Sequence, residues 1–236
     1  MKNNSIKSVV AIGVGAALFV IIGMLVRIPT GVPNTNIQLQ YAVVVLLAII
    51  FGPTVGFLSA FIGHTLIDAI GYGSVWWTWV LVSALFGLVI GFASKFINLE
   101  KGSLSLKDII IFNLTQVAIN ILGWGLIAPF LDILIYSEDS TKVYTQGLMT
   151  AIVNSLTVAV GGTILLAIYA KSRVQTEIGF LFMSMNLTKL TKNLDPKNSN
   201  TQKPHSDFFI LIVFKTEITV WFYLKLLFAQ PLLLYF

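Results

Sequence analysis

A membrane-length apolar run, Ile109 to Phe130, carries three amide side chains along one side. A helix turns about 100° per residue, so Asn113, Gln116, Asn120 and Trp124 fall within an arc of roughly 80°. The rest of Asn113–Trp124 is Ile, Leu, Val, Ala, Thr or Gly. An amide pressed against lipid is costly, because nothing there replaces its water. The stripe therefore faces protein or a wet cavity, and it predicts one wall of a small-molecule pocket.

Composition points to a membrane setting for the whole chain. Of 236 residues, 56% are hydrophobic and 11% charged, against about 25% charged in a soluble domain. The formal charge of +5 is scattered over segment ends and forms no basic stripe. Nucleic acid is thus not an expected partner. The chain has no cysteine, which removes disulfides, thiolate metal sites and cysteine nucleophiles. The first apolar stretch, Val9 to Val26, is longer than the core of a signal peptide and is read as a retained span.

Six spans are predicted, giving an all-α integral membrane bundle over residues 1–173. They run Ile6 to Ile28, Gln38 to Phe51, Thr54 to Ile70, Val75 to Phe96, Asp108 to Phe130 and Gln146 to Ala170. The second is short for a bilayer core of about 30 Å, which implies tilt or extension into the preceding loop. Pro129 is expected to end the fifth, leaving an acidic loop before the sixth. In the sixth, Thr150, Asn154, Thr157 and Gly161 share an arc of roughly 60° and form a second polar stripe. Lysine and arginine collect at the N-terminus, between spans 4 and 5, and after span 6. The positive-inside rule then puts both ends of the six-helix core in the cytoplasm. On that orientation the other polar groups gather toward the outside.

The rest of the candidate site follows from this sidedness. The loop after span 1 holds Asn34, Asn36 and Gln38, uncharged hydrogen-bonders that make either a solvated turn or a lid. His64 and Asp68, four apart near the end of span 3, can touch. They make either a satisfied pair at a helix end, a substrate contact or, least favoured, a catalytic pair. Span 4 opens with Trp76, Trp77 and Trp79. An interfacial belt accounts for single tryptophans, but three together predict at least one turned inward. Trp76, Trp79, Gln116, Asn120, Trp124 and Asn154 complete the proposed pocket lining. In span 1, Ala11 with Gly15 and Gly13 with Ala17 are small pairs four apart. Such spacing admits a close neighbouring helix, inside the bundle or from a partner.

No phosphate-binding loop, HExxH or GxSxG motif occurs, so those hydrolytic machines are excluded. No cofactor or metal is called for, since His64 and Asp68 alone make no metal site. Binding suits the residues best: aromatic faces and placed amides hold a flat heterocycle in an apolar pocket. Two other classes stay open at this point. One is a small membrane enzyme using His64 and Asp68; the other is a stand-alone carrier. Residues 174–236 are read apart, as a disordered or peripheral extension. There Lys215, Glu217 and Lys225 interrupt an apolar stretch, each at a cost of about 2.5–3.5 kcal/mol near the bilayer centre.

Residues 1 to about 173 resemble the substrate-binding (S) component of energy-coupling-factor (ECF) vitamin transporters, in particular the riboflavin-type subgroup. The strings that carry the likeness are VVAIGVGAALFVIIG, VPNTNIQLQYA, FGPTVGFLSAFIGHTLIDAIGYGSVWWTWV and NSLTVAVGGTILL. The resemblance implies a plasma-membrane protein that binds one vitamin or precursor at the outer face, beneath the first loop. It implies docking to a transmembrane coupling subunit through Ala11, Gly13, Gly15 and Ala17. It also implies two cytoplasmic ATPase subunits that power release inward as the S component topples in the bilayer. No enzymatic activity is expected.

Overall fold

The computed structural model describes residues 2–99, 102–173 and 184–185. The extension read from 174 onward lies outside the described residues, apart from Ser184 and Met185. Six helices lie in one compact unit, Met1–Ile178: α1 (Lys2–Leu25), α2 (Gln40–Phe51), α3 (Pro53–Tyr72), α4 (Trp77–Ala93), α5 (Leu106–Tyr136) and α6 (Ser140–Arg173). Among the described residues, five helices are long and apolar enough to cross a membrane, and α2 is the shorter sixth. Large apolar side chains such as Leu114, Leu134, Leu156 and Ile168 stand exposed on the outer surface, as lipid contact requires. The chain is a multi-pass membrane protein of the all-α class, with one small addition. Ile28–Pro29 (β1) and Asn36–Ile37 (β2) pair antiparallel and turn the first loop into a hairpin.

Helix α2 is the axis of the bundle. It packs on α1, α3 and α4, and also against α6 where that helix widens. Tyr41, Val44, Val45 and Ala48 are fully buried along it. Twelve residues make a helix of only about 18 Å. Protein covers most of it, so α2 need not match the bilayer thickness.

One crossing of bare backbones and two glycines that receive side chains bring the first four helices together. A Cβ built on Gly56 of α3 would meet the carbonyl of Gly87 on α4, and one built on Gly87 would meet that of Gly56. Close crossings of this type replace the hydrophobic drive that helices lack in lipid. Gly63 receives the Phe19 ring of α1, while Gly15 of α1 faces Ser59 of α3 and Leu47 of α2.

The fifth span departs from its expected end. Pro129 does not terminate it; the helix continues to Tyr136, where Ser137 takes a left-handed conformation (φ 55°). The reason is a widened segment, Ile121–Ile127, in which Ala128 N–H bonds Gly123 O, five residues back. In that register the N–H that Pro129 lacks would have bonded the Trp124 carbonyl, so the helix passes the proline at the loss of one bond. That carbonyl lies against Gly147 of α6, where a side chain would strike it. The expected acidic loop is therefore mostly helix, and Asp132 lies inside the bundle, 2% exposed. Span 5 starts at a capping box, in which Asp108 N–H bonds Ser105 Oγ (3.2 Å) and Ser105 N–H bonds Asp108 Oδ2 (3.0 Å). Asp139 caps α6 through Lys142 N–H (2.8 Å).

One substitution at two glycines should give opposite results. Gly56→Ala is expected to lower the thermal midpoint in detergent, because overpacking costs about 1–3 kcal/mol. Gly13→Ala meets nothing within 4 Å and is expected to leave the midpoint unchanged or slightly higher, following helix propensity. Equal midpoints for the two variants would remove the α3–α4 crossing as a source of stability.

Candidate functional site

A cavity of about 200 Å³ opens beneath the hairpin, bounded by the N-terminal end of α2 and the ends of α1, α3, α5 and α6. Its roof is locally tied. Thr35 N–H bonds Val32 O (3.2 Å), Thr30 N–H bonds Thr35 O (3.2 Å), and the Thr30 and Thr35 hydroxyls touch. Gly31 (φ 89°) and Asn34 (φ 59°) take left-handed conformations that close the turn. Gln146 of α6 reaches across to donate to Pro33 O (2.9 Å), which anchors the roof to the wall.

Aromatic rings pack behind the lining. Tyr41 meets Phe19, Phe86 and Trp124 edge-on, with centroids 5.3, 5.4 and 4.9 Å away. Such pairs add about 0.5–1.5 kcal/mol each beyond their buried area. Trp124 both belongs to this cluster and lines the cavity.

The wall of α3 and α4 holds the ionisable groups. His64 Nδ1 lies 2.5 Å from Ser83 Oγ, which lies 2.6 Å from Tyr41 Oη. His64 Nε2 is 3.4 Å from Asp68 Oδ1. Asp68 Oδ2 accepts the main-chain N–H of Trp76 (3.0 Å). The Trp76 indole donates to Asp132 Oδ1 (3.0 Å) and the Trp79 indole to Asp132 Oδ2 (2.7 Å), and the Thr78 hydroxyl also donates to Oδ1. Two of the three clustered tryptophans thus turn inward onto one carboxylate. Trp77 stays half exposed and stacks on Phe61 (6.2 Å).

Eight of the residues singled out by sequence line the cavity: Asn34, Asn36, Gln38, His64, Asp68, Trp76, Trp79 and Trp124. Gln116, Asn120 and Asn154 do not; all three are fully buried. Asn120 Nδ2 donates to Gln116 Oε1 (2.9 Å), and Gln116 Nε2 donates to Ser155 O of α6 (3.1 Å). Asn113 Nδ2 reaches Thr163 Oγ1 (3.3 Å). The amide stripe therefore faces protein, as a polar seam between α5 and α6, and only its Trp124 end meets the cavity. Asn154 touches the site through Gln38 Oε1 (3.5 Å). In span 1, Ala11 and Gly15 are buried in the bundle, whereas Gly13 and Ala17 are exposed.

Sequence reasoning missed Asp132, Gln40, Arg27 and Gln146, all of which line the cavity, as does Thr150 of the second polar stripe. Helical periodicity gave no signal for Asp132: eight residues after Trp124, a regular helix turning about 100° per residue would put it roughly 80° round from that ring. Reading Pro129 as a stop also placed it in a loop. Among the described residues, no cluster of three or more His, Asp or Glu suited to a metal ion occurs.

The Asp132 cluster makes a definite prediction. Asp132→Ala strips the acceptor from two indole N–H groups and a hydroxyl, at about 1–3 kcal/mol for each buried group left unpaired. The expected result is a markedly lower thermal midpoint and altered tryptophan emission in detergent. An unchanged midpoint would show that water or other groups replace the carboxylate.

The family match covers most of the bundle. The protein family described as "ECF-type riboflavin transporter, S component" matches residues 3–171. A UPF0397 protein of Streptococcus agalactiae serotype Ia is 58% identical over 175 residues, 74% of this chain and 96% of the relative. One from Lactococcus lactis subsp. cremoris is 57% identical over 176 residues, covering 75% and 97%. One from Streptococcus gordonii is 57% identical over 177 residues, covering 75% and 94%. No solved structure matches the chain. The family is one of transporter components, not enzymes, and its match runs through all six helices and the hairpin. The chain belongs to the family of ECF-type riboflavin transporter S components: it is a plasma-membrane, substrate-binding subunit of an ECF transporter.

Proposed function

We propose that this S component captures a vitamin or vitamin precursor, riboflavin-like or thiamine- and thiazole-like, in the cavity beneath the hairpin. The observation that carries this reading is the cavity itself. Trp76, Trp79 and Trp124 and the polar side chains of Asn34, Asn36, Gln38, His64 and Asp68 converge on one space at one end of the bundle. Aromatic faces with a few oriented polar groups suit a heterocycle. Gln116, Asn120 and Asn154 act behind this lining: they fix α5 to α6 and hold Gln38 in place. The hairpin is the lid. The charge distribution along the chain supports a cavity on the extracellular side and cytoplasmic ends for the six-helix core.

Transport requires partners in this reading: a transmembrane coupling subunit and two cytoplasmic ATPases. Gly13 and Ala17, on the exposed face of α1 with Val10 and Val14, receive the coupling subunit. Ala11 and Gly15 seat α1 against its own bundle so that this face is held outward.

Purified protein titrated with riboflavin, thiamine, its thiazole precursor and biotin is expected to change its tryptophan emission with at least one of them. No response to any would remove the binding role. Gly13→Leu is expected to leave that response intact but to cut uptake several-fold in cells carrying the coupling and ATPase subunits. Undiminished uptake would exclude this face as the docking surface, and uptake without those subunits would exclude the ECF cycle.

A further inference from the structure

The charge pattern of the cavity narrows the ligand further, resting on the binding role just proposed. We propose that the ligand is a one-ring nitrogen heterocycle bearing a positive charge, with the charge facing Asp68 and its N–H donors facing Gln40.

Three carboxylates line the cavity: Asp68, Asp132 and Glu138. Glu138 is neutralised by Lys142 (2.7 Å). The other two are 6% and 2% exposed and have no lysine or arginine partner among the described residues. Asp132 receives three donors, all uncharged: the Trp76 and Trp79 indoles and the Thr78 hydroxyl. Asp68 receives one uncharged N–H and the flank of His64. Apart from the His64 ring beside Asp68, no basic group pairs with either carboxylate among the described residues, so negative charge on this lining is left unmatched. In a water-poor site that charge attracts a cation far more strongly than it would in bulk water.

A separate observation points the same way. Gln40 is 4% exposed, lines the cavity, and its Oε1 has no hydrogen-bond partner. A buried acceptor left unpaired is costly and calls for a donor. The arginine in the lining does not reverse the pattern. Arg27 is exposed, lies over the Tyr72 ring (5.6 Å), and makes its contacts with Gly23 O (3.4 Å) and Met24 Sδ (2.9 Å). Its side chain is exposed, whereas Asp68, Asp132 and Gln40 are buried. Trp79 and Trp124 offer ring faces to a cation. The space, about 200 Å³, falls below the roughly 300–1,000 Å³ of a drug-sized cleft, which selects a single ring.

The test uses the purified full chain and a matched set of pyridines, pyrimidines and thiazoles. Each ring carries an aminomethyl, a hydroxymethyl or a carboxylate group, and retained compounds are identified by mass. The aminomethyl members are expected to be retained in preference. Asp68→Asn, which keeps an acceptor for Trp76, should weaken their retention at least roughly tenfold. Gln40→Leu should weaken it while leaving the thermal midpoint equal or higher, because it removes an unsatisfied buried acceptor. Preference for hydroxymethyl or carboxylate members, or full retention by a folded Asp68→Asn protein, overturns the inference. Retention of no member, with the tryptophan response to larger vitamins intact, overturns the inference alone. Loss of both responses overturns the binding role with it.

Discussion

Asp132 puts a carboxylate inside the bundle, 2% exposed, and the start of α4 is arranged around it. Its two oxygens draw the start of α4 onto the far half of α5 through Trp76, Thr78 and Trp79. Without a cation beside it, such a group is tolerated only if every lone pair is used. That condition fixes the rotamers of two tryptophans and sets the first turn of α4. Through the Trp76 main chain it also orients Asp68, and through Asp68 it limits where the His64 ring can lie. One connected set of hydrogen bonds runs through this side of the bundle, from Tyr41 by way of Ser83 and Trp79 to Asp132.

The spans were legible because lipid permits so few solutions for a backbone. Apolar runs of bilayer length between charged or Gly/Pro-rich turns gave five helices and, with α2, the sixth. Their ends were less legible where helix geometry deviates. Pro129 reads as a stop only if the preceding turn is a regular α-helix, and widening at Ile121–Ile127 removes that premise. The three amides of the polar stripe were read with the right direction and the wrong neighbour. Gln116 and Asn120 avoid lipid, but by bonding each other and α6 rather than by lining a void. Periodicity reports which side of a helix is shielded; it does not distinguish a packed seam from an opening. The tryptophan cluster was better determined, since an excess of indoles over the needs of an interface leaves N–H donors that must find acceptors.

Both long helices widen beside their buried amides, α5 at Ile121–Ile127 and α6 at Val158–Gly162. Such segments displace main-chain bonds and bring side chains out of the regular register. Here they flank Asn120 on one helix and Asn154 on the other. The amide seam therefore lies where the two backbones are least regular and where a polar side chain can best complete main-chain bonding.

The shortness of α2 accounts for the opening itself. A helix of about 18 Å on the central axis of a bilayer roughly 30 Å thick leaves about 12 Å of that column without helix. Asn36, Ile37, Gln38 and Gln40 stand at the truncated end and line the void, and the hairpin spans the gap in place of further turns. The binding chamber is thus a plug withheld from the centre of a barrel of helices. A relative in which α2 ran two turns further toward the hairpin would keep the same outer surface and have no room for a guest.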